Sequence, residues 1–151
     1  MRSSYSKYNY GSILKGIVLA HRPRIAVELG VLDGYSTINI AEGIKFNYEK
    51  FFVNGHLHSW DLWDHYPYKH GDINEVQSRL NSRGLDEYVS LKNGDAFEVC
   101  MLYKTMSVDF LHVDISNTGS TLKKVMQYWS HRMSPNGIIA FEGGSGERDN
   151  V

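Results

Sequence analysis

The sequence predicts an α/β fold, a mostly parallel sheet wound on both faces by helices, and three observations point to it. Short apolar runs, several of them β-branched, alternate with segments whose apolar residues recur at helical spacing. Glycine, asparagine or aspartate follows most of the apolar runs, where a strand would turn into the next helix. No repeat, low-complexity tract or Pro/Gly-rich linker divides the 151 residues, so residues 1–151 read as a single domain.

Taken in order, Ile13, Leu14, Ile17 and Val18 share the face of a first helix that ends at His21-Arg22-Pro23. Ile25 to Leu29 is then a short buried strand. Gly30 to Gly34 forms a tight turn, and Ser36 or Thr37 is placed to cap a second helix with Ile38, Ala41 and Ile44 facing inward. His56 to Asp61 is the second strand, its burial argued by Leu57 and Trp60 alone among polar neighbours. Asp72 with Glu75 forms a capping box for a helix that carries Ile73, Val76 and Leu80 on one face and closes at Gly84. Tyr88 to Leu91 reads as a third strand, Phe97 to Tyr103 as a short helix, and Val108 to Val113 as a nearly all-apolar fourth strand. Leu122, Val125, Met126, Trp129 and Met133 trace a last amphipathic helix that stops at Ser134-Pro135-Asn136-Gly137, before a fifth strand from Ile138 to Phe141.

Composition narrows the function classes. Lys and Arg total 16 against 17 Asp and Glu, a formal net charge of −1, so there is no basic field of the kind that draws nucleic acid. No window approaches the roughly 20 apolar residues of a membrane span, and the polar, Tyr-rich start lacks the apolar region of a signal peptide. The expectation is a soluble, cytoplasmic protein. Cys100 is the single cysteine, which excludes a disulfide within the chain and a cysteine-based zinc cluster.

In open parallel sheets, ligands bind beyond the carboxyl ends of the strands, where the strand order reverses. Four groups of residues therefore matter. After the first strand comes Glu28-Leu29-Gly30-Val31-Leu32-Asp33-Gly34-Tyr35-Ser36, in which glycines permit close backbone approach and a helix N-terminus offers unpaired N–H groups. Asp61 ends the second strand, where a carboxylate can accept both hydroxyls of a ribose, and Leu62 and Trp63 follow it. Asn93-Gly94-Asp95-Ala96 follows the third strand, and Asp95 would also serve as a helix N-cap. Asp114 ends the fourth strand at the centre of the crevice, where a carboxylate without compensation is costly and is retained for ligand, metal or proton chemistry.

The first of these segments resembles the class I, Rossmann-like methyltransferases, and within them the O-methyltransferases whose first motif runs Glu-x-Gly-x-x-x-Gly-Tyr-Ser. Every fixed position of that pattern is present, from Glu28 to Ser36. The dinucleotide fingerprint G-x-G-x-x-G is not, because Leu32 stands where its middle glycine would be. Val108 to Asp114 is similar to the segment of macrocin-type sugar O-methyltransferases and catechol-type relatives that ends in a functional aspartate, with Glu142 in the place of their next acidic pair. The resemblance implies a sheet in the order 3-2-1-4-5 and S-adenosylmethionine (SAM) as cofactor. It implies that Glu28, Gly30, Gly34, Tyr35 and Ser36 line the methionine end of SAM, that Asp61, Leu62 and Trp63 hold ribose and adenine, and that Asp95 and the Ala96 N–H read the adenine edge. It assigns Asp114 and Glu142 to catalysis and, in metal-dependent relatives, to a Mg2+ or similar divalent ion.

Departures from the family pattern accompany the matches. Gly143 follows Glu142 where relatives carry a second ligand pair, and the lysine base of catechol-type relatives is absent. His56, His58, His65 and His70 flank the loop after the second strand and are further candidates for a base, while His112 reads as a satisfied core histidine. The family pattern adds two strands beyond the fifth, so the resemblance covers about two-thirds of a typical domain. Either the remainder is missing or another subunit of a homo-oligomer covers the sheet edge. The glycine-rich segment from Glu142 to Asp149 reads as a substrate-side loop. The expected partner is a small-molecule or carbohydrate acceptor, neither nucleic acid nor membrane. Two other readings share the architecture: another nucleotide-cofactor enzyme, or a non-catalytic methyltransferase-like binding domain.

Overall fold

The computed structural model describes residues 9–67, 70–116 and 118–142. Five parallel strands, β1 (Ile25–Leu29), β2 (His56–Asp61), β3 (Val89–Asn93), β4 (Val108–Val113) and β5 (Met133–Phe141), form one sheet in the order β3-β2-β1-β4-β5. That is the predicted order, and it makes the gap between β1 and β4 the point where the winding reverses.

The helices cover both faces. Strand residues alternate in direction, so Ala26, Leu57 and Phe110 pack with α1 (Tyr10–His21), α2 (Tyr35–Phe51) and α3 (Ile73–Asn81) through Val18, Ile44 and Leu80. Val27, Leu29, Leu111 and Val113 pack on the other face with α4 (Gly119–Trp129) through Val125 and Trp129. Burial on two faces is why β1 and β4 are apolar on both sides, interrupted by the buried Glu28 and His112 and by Asp109. No helix among the described residues is long and apolar enough to cross a membrane.

Several local expectations are corrected. Neither Ser36 nor Thr37 caps α2, whose N-cap is Gly34 at φ 77 with no side-chain bond. The Thr37 hydroxyl turns inward to Glu28, because a carboxylate inside the core needs a donor more than an open helix end needs an acceptor. Asp72, by contrast, accepts from the backbone N–H groups of Asn74 and Glu75, as its sequence position predicts. The third strand starts one residue later than expected and runs to Asn93, with Asp86–Tyr88 forming a 3-10 turn before it. The predicted short helix is a 3-10 turn at Val99–Leu102. Met133 begins β5 instead of closing α4, which ends at Trp129. β5 reaches past Pro135 and Gly137 through a register irregularity opposite Val108 and Phe110, and at a sheet edge the missing proline N–H costs no ladder bond.

Candidate active site

The ends of β1, β4 and β5 bring Gly30, Asp114 and Glu142 into line. The Asp114 N–H donates to the Leu29 carbonyl at 2.8 Å and the Glu142 N–H to the Val113 carbonyl at 2.9 Å, so the three positions continue the ladder past the strands. Gly30 has φ 91, and a Cβ on it would run into the Asp114 carbonyl. Only glycine fits there, for both conformation and space. A cleft of about 350 Å³ opens above these ends. Gly30, Asp61, Leu62, Asp95, Ala96, Asp114 and Glu142 all contribute to its wall, bringing together candidates that lie more than a hundred residues apart in sequence.

Asp61 organises the rim. One carboxylate oxygen accepts from Val31 N–H at 2.7 Å and Leu32 N–H at 3.1 Å, and the other accepts from Trp63 N–H at 3.0 Å. Leu32 and Trp63 both sit in the left-handed region, at φ 51 and 49, a conformation that costs a non-glycine residue about 1 kcal/mol or more. The Asp61 carboxylate thus stabilises two strained backbones at once. With about four acceptor sites on a carboxylate, it keeps room for roughly one further donor. Gly71 presses against the Leu32 carbonyl, where a Cβ could not be accommodated, and this pins the loop that carries His70 to the glycine turn.

The remaining candidates stand off the cleft wall. Glu28 is fully buried; one of its oxygens accepts from Thr37 Oγ1 at 2.6 Å and Ser59 Oγ at 2.7 Å, the other from His112 Nδ1 at 3.3 Å. His112 is accordingly a core histidine with a partner. Ser36 is buried in α2, Gly34 packs on Val76, and Tyr35 opens the same helix. Trp63 is 3% exposed and donates from its indole N–H to the Lys92 carbonyl, under the loop instead of over the cleft.

Of the four histidines near the second strand, only His70 contributes to the cleft wall, beside Tyr66. His56 and His58 belong to β2 itself, and His65 is exposed. His58 supports the floor. Trp60 Nε1 donates to the Tyr103 hydroxyl at 2.8 Å, and that hydroxyl shares a further hydrogen bond with His58 Nδ1 at 2.9 Å. Burial, then Lys92 and His56, push its pKa down to about 4, and burial pushes Tyr103 up to about 12. Phe97, Gly71 and Tyr103 were not singled out from sequence; a glycine directly before the Asp72 cap was the one available signal for a close backbone approach.

Two carboxylates, Asp114 and Glu142, reach the cleft from adjacent strands, but among the described residues no group of three or more His, Cys, Asp or Glu is arranged to hold an ion. Asn117 and the segment from Gly143 to Asp149 lie outside the described residues. Adenosyl-sized chemistry does fit: the cleft of about 350 Å³ is lined by apolar Val31, Leu62, Ala96 and Ile115 together with Asp61, Asp95, Asp114 and Glu142.

Solved structures share the fold. An O-methyltransferase from Streptomyces achromogenes, TomG, involved in tomaymycin synthesis and in complex with SAM, superposes with a TM-score of 0.70 at 17% identity, covering 91% of this chain and 60% of its own. A methyltransferase from Geobacter sulfurreducens gives 0.68 at 15% identity, covering 89% and 64%. An O-methyltransferase from Bacillus cereus in complex with S-adenosylhomocysteine (SAH) gives 0.64 at 19%, covering 87% and 54%. The chain therefore spans between 54 and 64% of the length of these three. No curated protein matches the chain. Residues 27–142, from the middle of β1 to the Glu142 that closes the cleft, match the family described as a methyltransferase domain, and the chain belongs to that family.

Proposed function

We propose that this chain is a SAM-dependent methyltransferase that methylates a hydroxyl of a small molecule or sugar. The observation that carries the reading is one cleft at the β1/β4 reversal point that joins the Gly30 turn to Asp61, Asp95 and Asp114. Bound SAM supplies a methyl group already activated by its sulfonium. The protein has to align it with the acceptor and take up a proton.

Each residue then has a task. Gly30 leaves room for the methionine end, and Glu28 secures β1 beneath it. Gly34, Tyr35 and Ser36 set the start of α2 behind the turn. Asp61 receives a ribose hydroxyl on its remaining acceptor site, with Leu62 beside the adenine, Trp63 supporting the loop from below, and Asp95 and Ala96 at the adenine edge. Asp114 accepts the hydroxyl proton while the acceptor oxygen bonds the methyl carbon and the sulfur keeps the electron pair of the broken bond. Glu142 is its partner. The step is proposed with Asp114 itself as the base; a divalent ion held by Asp114 and Glu142 would add to it by lowering the pKa of the acceptor hydroxyl. A cytoplasmic location and a homo-oligomer that covers the outer edge of β5 belong to the same proposal.

Labelled SAM with a panel of hydroxyl-bearing acceptors tests it. Methyl transfer is expected in the presence of a chelator, falling by about a hundredfold or more in Asp114→Ala. Transfer undiminished in Asp114→Ala overturns the catalytic assignment, and absence of SAH binding by calorimetry overturns the function.

A further inference from the structure

The part of the cleft wall made by Trp60 and residues 94–97 rests on aromatic side chains beneath it. Each of the chain's three indoles places its N–H around this stretch: Trp60 on the Tyr103 hydroxyl at 2.8 Å, Trp63 on the Lys92 carbonyl at 3.0 Å, and Trp129 on the Ala96 carbonyl at 2.9 Å. Gly94 lies against Trp60 so closely that a Cβ on it would stand 3.0 Å from the indole. Within residues 94–97 the Asp95 carboxylate accepts from the Phe97 N–H at 2.8 Å, so this loop keeps its own shape and its placement depends on what lies beneath. Tyr103 is what lies beneath. It is buried, it is not among the described lining residues, and it joins the two indoles that touch the loop, bonded to Trp60 and with its ring 5.4 Å from that of Trp129. His58 at 2.9 Å holds the phenol from its far side, and Arg132 donates to the Tyr103 carbonyl at 3.0 Å.

We propose that Tyr103 is a positioning residue for base recognition: through Trp60 and Trp129 its phenol fixes residues 94–97 where Asp95 and the Ala96 N–H select adenine over other purines. The inference rests on the methyl-transfer reading, in which those two groups face the adenine edge. Adenine offers an amino donor beside a ring-nitrogen acceptor, whereas hypoxanthine offers a carbonyl acceptor beside an N–H donor. A carboxylate and a backbone N–H complement the first pair and oppose the second. The discrimination depends on placement, because hydrogen bonds weaken steeply with distance and misalignment. Without the phenol oxygen a buried indole N–H loses its acceptor, a cost large enough to drive a local shift. Trp60 cannot move toward residues 94–97 without pressing on Gly94, so the shift passes to the two groups that read the base.

Calorimetry on the full chain with SAH, and with the same thioether carrying hypoxanthine in place of adenine, reads the selection. The unmodified chain is expected to prefer SAH by about a hundredfold, the product of two opposed polar contacts. In Tyr103→Phe that preference should narrow to about tenfold, because the ring against Trp129 is kept while the acceptor for Trp60 is lost. Val89→Ala, in the apolar layer on the other face of the sheet, controls for destabilisation alone, and its preference should stay unchanged. Trp129→Phe removes the bond to the Ala96 carbonyl, should narrow the preference as well, and decides the question if Tyr103→Phe fails to fold. Equal binding of both ligands by the unmodified chain, full preference in Tyr103→Phe or Trp129→Phe, or an equal narrowing in Val89→Ala overturns the positioning role while leaving methyl transfer standing. Failure of the unmodified chain to bind SAH removes the methyl-transfer reading and this inference together.

Discussion

Asp61 shows how one side chain can carry both structure and recognition. Its carboxylate satisfies three backbone N–H groups and keeps two left-handed residues in place, so Asp61→Asn, which retains one acceptor oxygen, should lower unfolding free energy by about 1–3 kcal/mol in urea titration. The same change should weaken SAH binding, since the rim that Leu32 and Val31 form would relax. A variant with unchanged urea midpoint and unchanged affinity would contradict both roles. His58 gives a second residue-scale expectation. With its folded pKa depressed to about 4 against an ordinary value near 6.5, the unfolded chain binds the extra proton between those values. Stability should therefore be full above about pH 6.5, decline as pH falls through that window, and flatten below about 4, and His58→Gln should remove this share of the decline in pH-dependent thermal melts.

At the scale of elements, the loop between β2 and α3 depends on Gly71 lying against the Leu32 carbonyl. Gly71→Ala should displace that loop, carry His70 and Tyr66 off the cleft, and lower SAH affinity by about tenfold, with the far-UV dichroism of the helices retained. How much could be read from sequence follows from what decides each element. The Asp72 cap and the apolar stripes of α2 and α3 were legible because their determinants lie within one or two turns of chain. Thr37 was misread as a cap because a carboxylate from β1 competes for its hydroxyl, and Met133 as helix because a ladder with β4 outweighs its place in the apolar stripe. Asp61 and Asp114 could be found as strand-end carboxylates, yet nothing local revealed that one oxygen of Asp61 would be taken up by the turn opposite, or that Trp63 would fold beneath its own loop.

For the whole molecule, the two apolar layers hold the strand ends, and hence the cleft, in register. Phe110 is fully buried at the centre of one layer, so Phe110→Ala should cost about 3–5 kcal/mol and abolish ligand binding through loss of the fold, measurable as a matched fall in thermal midpoint and SAH binding. The outer side of β5 pairs with no strand among the described residues, and light scattering tests whether a second copy covers it in solution. Glu28 ties these layers together in a different way. Its two oxygens draw on α2, β2 and β4 simultaneously, each partner at a fixed position along its own element. Were any of those strands to slip by one residue, Ser59 or His112 would point to the opposite face and a charge would be stranded in a dry interior. The glutamate therefore proofreads the assembly: a misaligned sheet cannot close over it, and the alignment it enforces is the one that sets Gly30 beside Asp114.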